Sequence, residues 1–235
     1  MSIESILQEL YKYSDDKRKS NLVKLGIPKE SSLGVSTGDI RKIAKKYKKN
    51  DELAKELWES KIHDAKLLSV LLLNPKQATT EKIEYYMKEI HSWDLCDHFC
   101  KNYLLKTKNY SEYIDKWVNS SQTYYKRAGF TLIASQVVKE KNISKIELEK
   151  YLSYIIEYSC DDRIHVYKAI SWALRELGKV NANLQEKAII VAYDLCEADD
   201  KTKQKVGKMS LKELESLVKV SGRSRLISNT SQMAN

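Results

Sequence analysis

Apolar residues return every three to four positions along nearly the whole of this 235-residue chain, and only seven glycines and two prolines interrupt them. Glycine and proline are the strongest punctuators of strands and turns, so their scarcity beside abundant Leu, Lys, Glu, Ala and Ile dictates helices throughout. The periodicity predicts helices near 2–13, 16–25, 38–48, 51–60, 63–73, 79–91, 93–105, 110–119, 122–138, 144–158, 162–178 and 184–196, with another near 210–220. Thr37, Asn50, Thr79 and Ser92 each precede such a segment and offer a side-chain acceptor to its orphan N–H groups. The most apolar run, LLSVLLL from Leu67 to Leu73, is far shorter than the roughly 20 residues a membrane span needs. The N-terminal MSIESILQELYKY contains acids and lacks the basic-then-apolar pattern of a signal peptide. Cys96, Cys100, Cys160 and Cys196 follow no disulfide framework, so a reduced, cytoplasmic protein without a membrane segment is expected.

Short helices in such number pair into hairpins, and hairpins repeat. YIDKWVNSSQTYYKRAGFTLI, starting at Tyr113, lies over YIIEYSCDDRIHVYKAISWAL, starting at Tyr154, a shift of 154 − 113 = 41 residues. The shift pairs Ile114 with Ile155, Trp117 with Tyr158, Arg127 with Lys168 and Ala128 with Ala169. A period of roughly 40–47 residues is the HEAT and armadillo range. The expected fold is therefore all-α, a curved superhelix of HEAT-like helical repeats whose second helices line a concave groove. It is expected to form one domain over residues 1–222. SGRSRLISNTSQMAN is poor in apolar residues, so 223–235 is read as a flexible C-terminal tail.

Lys and Arg number 41 against 32 Asp and Glu, and a net charge of +9 concentrates polyanions around the chain. The basic stretches DKRKS (Asp16–Ser20), RKIAKKYKK (Arg41–Lys49) and KTKQKVGK (Lys201–Lys208) suit phosphates, or else form ordinary solvated helix faces. Arg41, Lys42, Lys45, Lys46 and Lys168 are the candidate contacts to DNA.

In SWDLCDHFC, helical spacing puts Trp93, Asp97 and Cys100 on one line. On one reading Ser92 caps the helix, Asp94 favours its positive N-terminal end, and Asp97 pairs with a neighbouring base inside the protein. On the other, Asp97 faces a functional cleft. Arg127, in TYYKRAGFTLIA, begins the second helix of one repeat beside the small Ala128 and Gly129. Its planar fork suits a phosphate or carboxylate; the alternative is a solvated rim arginine. Trp172, in VYKAISWALREL, stands one turn beyond Lys168 on the matching face of the next repeat, whereas Trp58 and Trp117 read as core. Structural zinc needs four ligands, and His98 points away from the line joining Cys96 to Cys100, so no metal site is read and the cysteines are taken as small buried apolar groups. A Gly-rich phosphate loop, GxSxG and HExxH are all missing from the sequence, and no cofactor is implied.

GVSTGDIRKIAKKY, WDLCD, YKRAGF and KAISWALRE, in this order and with these separations, resemble the AlkD-type DNA alkylation repair family of HEAT-like DNA glycosylases, over about Leu7 to Lys187. The resemblance implies a monofunctional, monomeric glycosylase acting on double-stranded DNA that contains alkylated bases. Such an enzyme excises cationic N3- or N7-alkylated purines without drawing the lesion into a deep pocket. Carried over by position, Trp93 and Trp172 become the catalytic tryptophans, Asp97 the carboxylate and Arg127 the groove arginine. One departure stands beside them: family members carry a second aromatic immediately before the first Trp, where this chain has Ser92. Two other readings stay open, a non-catalytic binder of distorted or branched DNA and a HEAT scaffold for a protein partner.

Overall fold

The computed structural model describes residues 3–24, 26–27, 29–140 and 142–233. These hold thirteen α-helices and one short β ribbon, and the backbone divides into two compact units, Met1–Tyr110 and Ser111–Asn235. No helix among the described residues is long and apolar enough to cross a membrane.

The first unit contains α1 (Ile3–Lys12), α2 (Asp16–Lys24), α3 (Thr37–Ala44), α4 (Asp51–Glu59), α5 (His63–Leu72), α6 (Thr80–Lys88) and α7 (Trp93–Asn102). The LLSVLLL run becomes the interior of α5, which packs against α3, α4 and α7; Leu68, Val70 and Leu73 are fully buried. Even Ser69, lodged in this run, is satisfied, because its hydroxyl donates to the Ala54 carbonyl at 2.6 Å. Trp58 meets Tyr86 edge-on with ring centroids 4.8 Å apart, and Phe99 lies 5.4 Å from Tyr103, so aromatic contacts continue from α4 through α6 to α7.

The GVSTGDIRKIAKKY motif has a structural explanation in this unit. Asp64, only 1% exposed, accepts the backbone N–H groups of Leu33 at 2.6 Å and Val35 at 2.8 Å, two charge-assisted bonds that fix the loop before α3. Gly34 lies between them at φ 75°, and a Cβ there would fall 2.3 Å from the Asp15 carbonyl oxygen, so only glycine fits. Ser36, not Thr37, is the N-cap of α3: its hydroxyl accepts from the Asp39 N–H at 3.0 Å and Thr37 is the first helical residue. Asn50 and Thr79 cap α4 and α6 as expected, accepting from Leu53 at 3.1 Å and Lys82 at 3.2 Å. Ser92 occupies the cap position of α7 but makes no side-chain cap bond.

The second unit is a run of three hairpins: α8 (Tyr110–Val118) with α9 (Thr123–Lys139), α10 (Lys145–Tyr158) with α11 (Ile164–Gly178), and α12 (Ala182–Glu197) with α13 (Lys201–Leu214). The second helices start at 123, 164 and 201, which is 41 and then 37 residues apart, close to the period expected from sequence. The paired positions Ile114 and Ile155, and Ala128 and Ala169, are all buried. Gly129 lets α9 close on α8, since a Cβ would sit 2.7 Å from the Val118 nitrogen. The third hairpin corrects the sequence reading, which set the last helix near 210–220. The KTKQKVGK run is the start of α13, capped by Asp200, with Thr202, Val206 and Ser210 as its buried stripe. The Ser210 hydroxyl lies 3.0 Å from that of Ser171, tying α13 to α11.

The segment expected as a loose tail folds back on this unit. Leu217–Val218 pairs antiparallel with Ile227–Ser228, and between them Leu226 is buried and donates its N–H to the Lys179 carbonyl at 2.8 Å. Arg225 donates to the Val137 carbonyl near the end of α9 and to the Glu176 carbonyl and carboxylate in α11, at 2.9 and 2.7 Å. Carbonyls in the last turn of a helix have no partner within it and carry its negative end, which is where an arginine fork is most useful.

Candidate nucleic-acid site

Trp93 opens α7 and Asp97 follows one turn later; both are half-buried, so the carboxylate is not sealed inside the unit. The neighbouring acid behaves differently. Asp94 accepts from His63 Nε2 at 2.7 Å, joining the N-termini of α7 and α5, and His63 is 6% exposed. Burial alone would raise the Asp94 pKa, but the His63 hydrogen bond and charge outweigh it and hold the carboxyl below its ordinary value. This pair fixes the orientation of the first turn of α7 and with it the direction in which Trp93 and Asp97 project. On the next turn His98 is buried, with Asn102 Nδ2 3.2 Å from its Nδ1. Burial first, and then the nearby charge of Arg41 on α3, pushes His98 down to about 4, so it is neutral at physiological pH. Cys96 and Cys100 are fully buried on the inner side of α7, the apolar role expected of them.

The four candidate basic residues of the α3 region separate into two pairs. Lys42 is bonded to Asp39 at 2.8 Å and Lys46 to Glu9, exposed pairs that offset part of their charge within the protein. Arg41 and Lys45 instead line a cleft of about 530 Å³ together with Lys48 and Lys49, and between these cations lie Ala44, Tyr47 and Leu71. Among the described residues no acid lines this cleft. Lys48 and Lys49 are absent from the contacts chosen from sequence, though helical spacing already separates 41, 45 and 48 from 42 and 46.

In the second unit, Arg127 is not a solvated rim arginine. It is 6% exposed, and Nη1 donates to the His165 carbonyl at 2.7 Å, fastening α9 to the first turn of α11. Around it, Tyr124 stacks on His165 with centroids 5.7 Å apart, and Lys126 lies 4.2 Å over the Tyr158 ring and 3.4 Å from Asp161. Asp161 also receives Arg163 in two bonds of 2.8 and 2.5 Å. Trp172 is half-buried on α11, one turn after the exposed Lys168, and its indole N–H donates to Glu176 at 3.3 Å. Trp58 and Trp117 are core residues, as expected.

A family model described as DNA alkylation repair enzyme matches residues 6–213. The chain is 29% identical over 178 residues to the uncharacterized protein Lin0241 of Listeria innocua, covering 68% of this chain and 79% of that protein. It is 28% identical over 116 residues to the uncharacterized protein Lmo0209 of Listeria monocytogenes, covering 48% and 52%. Among solved structures, one described as a new family of proteins related to the HEAT-like repeat DNA glycosylases, with affinity for branched DNA structures, superposes with a TM-score of 0.77. At 22% identity over 88% of this chain and 93% of that one, this likeness shows the fold, an all-α HEAT-like repeat.

Proposed function

The chain belongs to the DNA alkylation repair enzyme family, and on that premise we propose that it is a DNA glycosylase that excises cationic N3- or N7-alkylated purines from duplex DNA. The observation that carries this reading is Asp97 itself, only partly buried one turn after Trp93 on a helix whose first turn is anchored by the Asp94–His63 pair.

A purine alkylated on a ring nitrogen is already a good leaving group, so catalysis has little to do beyond stabilising the sugar cation that its departure creates. The C1′–N bond breaks with its electron pair passing to the base, whose ring charge it neutralises. Water then adds to C1′ and gives its proton to the Asp97 carboxylate and on to solvent. At an effective dielectric of about 20, opposite charges about 4 Å apart gain roughly 4 kcal/mol. A third of that, present only in the transition state, is about tenfold in rate, and the whole approaches a thousandfold. Trp93 and Trp172 each offer a π face to a cation, worth ~0.5–2 kcal/mol. Arg127 serves this reading by tying α9 to the first turn of α11, the helix from which Trp172 and Lys168 project.

The test is release of methylated purine from alkylated duplex DNA, with Asp97→Asn beside the wild type. Release by the wild type and its loss in the variant support the reading; equal activity of the two removes the role assigned to Asp97. A second reading, non-catalytic binding of branched DNA, is favoured by the likeness to a fold described as having affinity for such structures. It predicts salt-sensitive binding of intact junctions with no base released.

A further inference from the structure

We propose that the cleft at the end of α3 is a separate contact for an unpaired nucleic-acid strand, taking one phosphate-linked nucleotide between its cations. The proposal rests on the DNA reading above and adds to it a place for a strand outside the duplex.

Arg41, Lys45, Lys48 and Lys49 surround this cleft and, among the described residues, no carboxylate lines it, whereas Asp39 on α3 and Glu9 on α1 pair with Lys42 and Lys46. Like charges crowded together carry a cost unless an anion arrives to offset them. At Lys49 partial burial, and then the nearby charge of Lys106, hold the ammonium below its ordinary pKa. Lys49 also donates to the Leu71 carbonyl, which fixes its position at the cleft wall. Between the cations the lining turns to Ala44, Tyr47 and Leu71.

That combination selects among polyanions. A duplex presents phosphates with its base faces stacked away, so the aromatic and aliphatic lining would meet nothing complementary. An unpaired nucleotide presents both a phosphate and a bare base face, and base stacking on an aromatic ring is worth ~1–3 kcal/mol. The volume of about 530 Å³ falls within the range of roughly 300–1,000 Å³ typical of small-ligand pockets, enough for one nucleotide. Such a strand arises at flaps, junctions and frayed ends.

Two charge-matched variants of the full chain test this. Lys45→Gln with Lys48→Gln removes two cleft cations, and Lys42→Gln with Lys46→Gln removes two cations of the same region outside it. Binding of a labelled deoxythymidine oligonucleotide and of a duplex of equal length is followed by fluorescence anisotropy across a salt series. The cleft variant is expected to weaken single-strand binding at least tenfold and to lower its log–log salt slope by about 1.4, from roughly 0.7 per phosphate contact, with a smaller loss on duplex. The matched variant is expected to lose less than half as much on either DNA. Equal losses for the two variants, or a duplex loss as large as the single-strand loss, overturn the proposal. Absence of binding to either DNA overturns it together with the DNA reading. Base release that survives in the cleft variant while single-strand binding falls separates the cleft from the glycosylase assignment.

Discussion

Two helices, one in each unit, carry the same short pattern and bury it to different degrees. On α7 of the first unit Trp93 is followed four residues later by Asp97; on α11 of the second, Trp172 is followed four residues later by Glu176. Glu176 is 9% exposed and fully engaged: it accepts from the Trp172 indole at 3.3 Å, Lys179 at 2.9 Å and Arg225 at 2.7 Å. Asp97 is only partly buried, and the ion pair that joins its helix to α5 is made by Asp94. Spacing therefore puts a carboxylate one turn after each indole, and the surroundings close over Glu176 more completely than over Asp97.

The sharpest way to break this comparison is to neutralise each acid in turn. Asp97→Asn is expected to lower release of methylated purine roughly tenfold to a thousandfold, the span of one third to all of the charge stabilisation given above, while duplex affinity stays near that of the wild type. Glu176→Gln leaves Lys179 and Arg225 facing a neutral amide in a nearly closed site, and is expected to cost about 3 kcal/mol of stability in denaturant unfolding. The same substitution frees the docked tail, which faster backbone amide exchange at Leu226 would report.

Smaller effects follow from the anchor of α7. Asp94→Asn is expected to cost about 1–3 kcal/mol, because it weakens a hydrogen bond to a buried histidine. The folded-state pKa of Asp94 is depressed, so its contribution is fully present above the unfolded value of about 3.9 and disappears as pH falls through the lower folded value. Acid titration of stability should thus show a step in the wild type that is missing from Asp94→Asn. Least of all, Trp172→Leu removes one π face worth ~0.5–2 kcal/mol and should slow base release about 2- to 30-fold.

Much of this architecture is written in local pattern. Scarce glycine and proline and unbroken apolar periodicity place twelve of the thirteen helices, because each of those signals is complete within a few turns. The thirteenth is displaced because the buried positions of α13 are Thr202, Val206, Gly207, Ser210 and Leu214, mostly small or polar and set among lysines, which reads as charge rather than as a core face. The C-terminal segment read as loose because its docking depends on two residues, Arg225 and Leu226, whose partners lie tens of residues earlier. The candidate site follows the same rule. Trp93, Asp97, Arg127 and Trp172 stand out by type and spacing, whereas the pairing of Lys46 with Glu9, the capture of Arg127 by the His165 carbonyl and the saturation of Glu176 are long-range facts with no local signature.

The most direct measurement is base release from alkylated duplex DNA under single-turnover conditions, expressed per folded molecule, for wild type, Asp97→Asn and Glu176→Gln together. Release well above the spontaneous rate is expected for wild type, with a collapse in Asp97→Asn and near wild-type release from the folded fraction of Glu176→Gln. A wild type that releases nothing, or an Asp97→Asn protein that keeps pace with it, would overturn the glycosylase assignment.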